Sequence, residues 1–210
     1  MNTPTKITFS RIIAIVVMVI ALFVLWVIGK VNPEFVIPNI GNSGINWLYF
    51  GLFIFFVLAS FTDYLDGYLA RKNNQVTDLG KFLDPVADKL LINSLVIFLI
   101  VPASYTRGQM DFSIWCAIIL VARDIVVDAL RFIAAQKNVV IAANIFGKVK
   151  TVLEMVAVAL VLLNGWPFIY FDYSWPVRIA DIFVYLATIA SVVSGVIYVL
   201  QNKHVFKESK

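Results

Sequence analysis

Apolar residues in this chain come in runs long enough to cross a lipid bilayer. The clearest is Ile12 to Gly29, which contains no charged residue. An uncharged run of about 18 residues is the length of a spanning helix. A helix is what such a run must become, because hydrocarbon offers no partner to a free backbone N–H or C=O. A soluble domain is about half apolar and about a quarter charged. This chain is 61% hydrophobic and 14% charged over 210 residues, with a mean hydropathy of +0.89. The expected fold is an all-α integral membrane protein with six transmembrane helices. Residues 1–210 are expected to form a single membrane domain.

The runs and their breaks give the order. Met1 to Arg11 is a polar lead, with Pro4 suited to a first helical turn, and reads as a short interfacial helix. Lys6 and Arg11 resemble the charged start of a secretory signal. The run Ile12 to Ile28 is too long for one, though, and no small-x-small cleavage site follows it. The first span is therefore Ile12–Gly29. Asn32–Asn46 holds Pro33, Pro38, Gly41 and Gly44 and is a loop. The second span covers Ile45–Thr62 and continues as polar helix to Arg71. Lys72–Gly80 is a polar turn, and the third span runs from Lys81 to Val101, with Pro85 early in it. The fourth starts near Phe112 and meets Arg123, Asp124, Asp128 and Arg131 toward its far end. Gln136–Asn144 connects to the fifth, Gly147–Asn164. Trp166, Tyr170, Tyr173 and Trp175 mark an interfacial loop before the sixth, Ile179–Leu200.

Charge placement orients the chain. Twelve lysines and arginines, from Lys6 and Arg11 through Arg71, Lys81, Arg131 and Lys148 to Lys210, fall on one side; Lys30, Arg107 and Arg178 fall on the other. By the positive-inside rule the first side is cytoplasmic, with both termini, in a plasma membrane protein. The net charge of +4 then reflects topology and gives no sign of nucleic acid binding. The one cysteine, Cys116, lies in an apolar run and reads as a core residue.

Against this background four aspartates stand out, all at the cytoplasmic edge. Asp63 and Asp66 are three apart, and Asp84 and Asp88 are four apart, so each pair shares a helix face. A lone aspartate at a helix end is ordinarily a solvated cap. Four together repel one another unless protons or cations intervene. Oxygen-rich clusters suit hard divalent cations, Mg²⁺ or Mn²⁺, and four carboxylates are enough for two ions. Such a pair can serve phosphoryl transfer. Gly67 and Ala70 leave a helix face without bulk, either for close helix packing or for a nucleotide, and Arg71 could hold a phosphate.

The string Asp63-x-x-Asp66-Gly67-x-x-Ala70-Arg71, eight residues, Gly80-x-x-x-Asp84-x-x-x-Asp88 resembles the motif of the CDP-alcohol phosphatidyltransferases at every fixed position. The resemblance implies that an acceptor hydroxyl attacks the β-phosphorus of a CDP-linked lipid and that CMP leaves. It makes Asp63, Asp66, Asp84 and Asp88 ligands of two Mg²⁺ or Mn²⁺ ions and Asp88 also the general base. It makes Gly67, Ala70, Arg71, Thr77 and Gly80 the contacts to the CDP-lipid. The segments Arg123-Asp124 with Arg131, Gly147-Lys148-x-Lys150-Thr151, and the lead Asn2-x-Pro4-x-Lys6-x-Thr8-x-x-Arg11 resemble the phosphatidylglycerophosphate synthase branch, with Thr3 and Thr5 as departures. The implied substrates are CDP-diacylglycerol and sn-glycerol 3-phosphate. Lys81, Arg123, Arg131, Lys148 and Lys150 are then the expected contacts to the acceptor phosphate. The plain alternative for these cations is anchoring, or pairing with Asp124, Asp128 or Glu154. A sister enzyme using inositol phosphate or serine is the second reading. An ion-coupled transporter is a remote third, disfavoured because the acidic cluster lies at one edge rather than the midplane. Homodimers occur in the resembled family; the resemblance allows one here without requiring it. Asp181 has no evident partner, and His204 is a tail residue with no ligand role.

Overall fold

Pro4 stands where a helix tolerates the missing N–H, and no proline or glycine follows until Gly29. The lead and the first apolar run accordingly wind into one helix, α1 (Thr3–Val31). This corrects the expectation of a separate interfacial helix: Thr5 to Arg11 form the first turns of α1. The helix is about 43 Å long against about 30 Å of hydrocarbon, so its polar start can project beyond the apolar layer. The computed structural model describes residues 3–41, 43–72, 78–101, 104–106, 108–137, 145–171 and 177–203. Of Thr3, Pro4, Asp66, Leu69, Ala70, Arg71, Asp78, Leu79, Lys81, Phe82 and Ser104 it describes the backbone alone.

Among the described residues there are five further α-helices and no strand: α2 (Trp47–Lys72), α3 (Asp78–Ile100), α4 (Ile114–Gln136), α5 (Ile145–Leu162) and α6 (Ile179–Gln201). The boundaries lie within three residues of those expected from the apolar runs, apart from the start of α1 and the polar extension of α2. By length and composition, stretches of α1, α2 and α6 are able to cross a membrane. The other three carry more charge: Asp84, Asp88 and Lys89 on α3, Arg123, Asp124, Asp128 and Arg131 on α4, and Lys148, Lys150 and Glu154 on α5.

Residues 1–111 with 162–164 form one compact unit. Here α1 packs on α2 and α3, and α2 touches α3. The buried stripe of α1 is Thr5, Thr8, Arg11, Ile15, Met18 and Leu22. Steps of three and four residues keep these on one face. The stripe is apolar toward the C-terminus and polar toward the N-terminus. It faces Tyr49, Leu52, Phe56 and Ala59 of α2 and Ala87, Leu91, Leu95 and Leu99 of α3, spaced to match. Asn46 starts α2: its Oδ1 accepts the Leu48 N–H at 2.8 Å and its Nδ2 donates to the Ile37 carbonyl at 2.7 Å. Gln109 and Asn164 both donate to the Gly44 carbonyl, at 2.6 and 3.0 Å. Gly44 has φ +72°, a conformation that glycine adopts without steric cost.

Residues 112–161 with 165–210 form the second unit. Its α4 and α6 pack along their length. The buried face of α6 is built from small residues, Ala180, Ala187, Ser191, Ser194 and Gly195, together with Val184, Thr188 and Tyr198. Small residues let two backbones approach closely. Opposite them α4 buries Cys116, Ala117, Leu120, Val127, Leu130 and Ala134. Cys116 is a free, buried thiol, as expected of a core residue.

Candidate active site

The long second apolar run carries its helix past the last hydrophobic turn, so that Asp63 lies on α2 itself. Asp84 and Asp88 lie on the first half of α3. Pro85, between them, has no N–H for the Lys81 carbonyl, which loosens the helix at that turn. The polar end of the α1 stripe meets these carboxylates. Arg11 Nη1 lies 2.5 Å from Asp63 Oδ1 and 3.4 Å from Asp88 Oδ1. The Thr8 hydroxyl, one turn earlier on α1, donates to Asp84 Oδ1 at 2.9 Å. One helix face therefore touches a member of each aspartate pair.

Burial is uneven across this group. The Arg11 side chain is 4% exposed, whereas Asp63 is 33% and Asp88 45% exposed. The guanidinium lies on the buried side of the carboxylates, and each carboxylate keeps an open side. Arg11 Nε and Nη2 are buried, with no hydrogen-bond partner among the described residues. Among the described residues the guanidinium pairs with two of the carboxylates, and the third, Asp84, takes the Thr8 hydroxyl. Among the described residues no three acidic, histidine or cysteine side chains are gathered closely enough to hold a metal ion. The donor set is nonetheless the right kind for hard cations: only carboxylate oxygens, two of them already drawn to one nitrogen. A divalent cation on the open side would answer the same electrostatic demand with more charge.

The second unit holds its own buried charge cluster. Lys150 of α5 donates to Asp124 of α4, with Nζ 2.9 and 3.2 Å from the two oxygens, and lies 2.6 Å from Glu154 Oε2 one turn along α5. Arg123 donates from Nη1 to Asp124 Oδ1 at 3.0 Å and from Nη2 to Ser194 Oγ of α6 at 2.8 Å. Side-chain exposures of 4% for Lys150, 7% for Asp124, 2% for Glu154 and 14% for Arg123 place the cluster inside the unit. Two cations and two anions balance. Gly195 makes room for it: a Cβ there would come within 3.0 Å of Arg123 Cγ. Two turns along α4 from Arg123, the exposed Arg131 donates from Nε to Tyr198 Oη at 3.1 Å and lies over the Tyr198 ring.

The expected site residues divide accordingly. Asp63, Asp84 and Asp88 meet the same face of α1. Gly67 and Gly80 lie within α2 and α3, both partly buried. Thr77 lies outside the described residues, as do the side chains of Asp66, Ala70, Arg71 and Lys81. Lys148 is exposed at the start of α5. Arg123 pairs with Asp124, one of the partners the plain alternative named. Lys150 pairs with Asp124 and Glu154. Thr8 and Arg11 are not among the site residues expected from the sequence. The available signal was the period: Arg11 falls on the stripe of Ile15, Met18 and Leu22. Asp181, without a partner in the sequence, accepts from Arg178 Nε at 3.0 Å. It also puts a negative charge in the first turn of α6, where the helix dipole favours one.

Comparison with known proteins adds the family. The family model "CDP-alcohol phosphatidyltransferase" matches residues 1–201. A Bacillus subtilis protein named CDP-diacylglycerol–glycerol-3-phosphate 3-phosphatidyltransferase is 35% identical over 209 residues, covering 99% of this chain and 98% of its own. A Rickettsia bellii protein of the same name is 33% identical over 207 residues, covering 98% and 97%. An Escherichia coli K12 protein, again of that name, is 35% identical over 175 residues, covering 82% of each chain. The motif on α2 and α3, the carboxylates that meet on α1 and the match along nearly the whole chain agree, and the chain belongs to the CDP-alcohol phosphatidyltransferases.

Proposed function

We propose that this enzyme transfers the phosphatidyl group of CDP-diacylglycerol to sn-glycerol 3-phosphate, giving phosphatidylglycerophosphate and CMP. The observation that carries the choice of acceptor is the near full-length similarity to the Bacillus subtilis protein of that name. Asp63, Asp66, Asp84 and Asp88 are the proposed ligands of two divalent cations, Mg²⁺ or Mn²⁺. When bound, such ions lower the pKa of a nearby hydroxyl and offset charge on phosphoryl oxygens. Asp88, the more exposed of the two carboxylates on Arg11, takes the proton of the attacking hydroxyl. The hydroxyl oxygen bonds to the β-phosphorus, and the bridging oxygen leaves with CMP. Gly67, Ala70, Arg71, Thr77 and Gly80 are the proposed contacts to the CDP-lipid.

The acceptor's phosphate is assigned to Lys81, Arg123, Arg131, Lys148 and Lys150. Arg131 and Lys148 are exposed, Arg131 against Tyr198, whereas Lys150 must first give up Asp124 or Glu154. We also propose that the chain works as one domain and crosses the plasma membrane six times, with both termini and the aspartates cytoplasmic. The lysine and arginine distribution supports that orientation. The test is CMP release by the purified protein from CDP-diacylglycerol and Mg²⁺ across a panel of acceptors. Release that depends on glycerol 3-phosphate supports the reading. Release only with serine or inositol phosphate moves the enzyme to a sister activity, and no release with any acceptor sinks it.

A further inference from the structure

Arginine is charged at every accessible pH and carries five N–H donors in a fixed plane. Burying it is costly unless anions surround it. Arg11 is 4% exposed, yet among the described residues Nη1 alone makes its ion pairs, one to α2 and one to α3, and Nε and Nη2 have no hydrogen-bond partner there. A position selected only to fasten α1 would be served by another apolar residue of the Ile15, Met18, Leu22 stripe. What Arg11 does that those residues cannot is set a positive charge between Asp63 and Asp88. These two carboxylates come from different helices and share one nitrogen, so they would repel each other if that nitrogen were absent.

We propose that Arg11 is the internal cation of the carboxylate site: from the buried side it holds Asp63 and Asp88 at a common point, so that the α2–α3 pair keeps its spacing before any divalent cation binds on the open side. Arg11 is thus a positioning residue, and Thr8 does the same for Asp84 by hydrogen bond. This rests on the reading of Asp63 and Asp88 as metal ligands. It predicts that Arg11 matters most when no metal is present, because an added divalent cation supplies the missing charge.

The test is thermal unfolding of the full chain in detergent, in EDTA and in saturating Mn²⁺. Arg11→Met is expected to unfold about 10 °C below wild type in EDTA, with Arg11→Lys between them, and Mn²⁺ is expected to close most of that gap. A gap of equal size in EDTA and in Mn²⁺, with Mn²⁺ raising the wild-type midpoint, would make Arg11 a plain packing residue and overturn the proposal. So would an Arg11→Met protein as stable as wild type in EDTA. If Arg11→Met fails to fold, Arg11→Met/Asp63→Asn decides: removing a carboxylate with its cation should restore a folded protein, and failure to do so overturns the proposal. The double variant, read in EDTA, also separates the two readings. Mn²⁺ stabilising no variant would contradict metal ligation by these aspartates, whereas rescue by Asp63→Asn in EDTA would still support Arg11 as their counterion.

Discussion

Replacing Lys150 with methionine keeps the length of the side chain and removes its charge. In the folded protein Lys150 Nζ is the partner of both oxygens of Asp124 and of Glu154 Oε2. With the amine gone, Asp124 keeps only Arg123 and Glu154 has no partner among the described residues, since its Oε1 is already unsatisfied there. A buried carboxylate without its counterion costs about 3–5 kcal/mol. For a chain of this size that corresponds to a fall in Tm of about 6–20 °C. Adding Glu154→Gln removes the stranded charge, so the double variant should recover part of the loss, with a coupling of about 1–3 kcal/mol. The assay is thermal unfolding of detergent-purified protein followed by tryptophan fluorescence. Additive losses, or a Lys150→Met protein within about 2 °C of wild type, would refute the reasoning, because both outcomes mean that these charges do not depend on one another.

Asp88→Asn leaves the Arg11–Asp63 pair intact, so it should abolish CMP release while the melting temperature stays near wild type; turnover near normal would remove Asp88 as the base. Gly195→Ala places a methyl within 3.0 Å of the Arg123 stem. It should lower stability by about 1–3 kcal/mol and raise the KM for the acceptor more than that for the CDP-lipid, a split read from steady-state kinetics. Asn46→Ala removes the cap of α2 and a donor to the Ile37 carbonyl, and should cost about 1–3 kcal/mol, read from the thermal midpoint, without changing either KM.

The helices were legible in the sequence because they are written as long apolar runs between Pro-, Gly- and charge-rich breaks. The start of α1 was not, because Thr5, Thr8 and Arg11 read as surface when taken singly. They become a buried face only when counted in steps of three and four onto Ile15 and Met18. The aspartates declared themselves by local spacing. Arg11 did not, since its partners lie on α2 and α3, far along the chain, and no local pattern records a long-range ion pair. The cations of α4 and α5 were legible as charges in apolar surroundings and ambiguous in role. Adjacency gave Arg123–Asp124, and the i, i+4 spacing of Lys150 and Glu154 was open to the same reading. The Asp124–Lys150 link joins side chains 26 residues apart on α4 and α5, to which no local spacing rule applies.

Joining of glycerol 3-phosphate to a phosphatidyl group through the aspartates of α2 and α3 is the proposed reaction. The most direct measurement is transfer of label from radioactive glycerol 3-phosphate into the lipid phase by purified protein in bilayer discs with CDP-diacylglycerol and Mg²⁺. Labelled phosphatidylglycerophosphate is expected in equal amount to released CMP, with both products lost in Asp88→Asn. Label remaining in the aqueous phase while CMP is released to another alcohol would contradict it, and so would undiminished labelling by the Asp88→Asn protein.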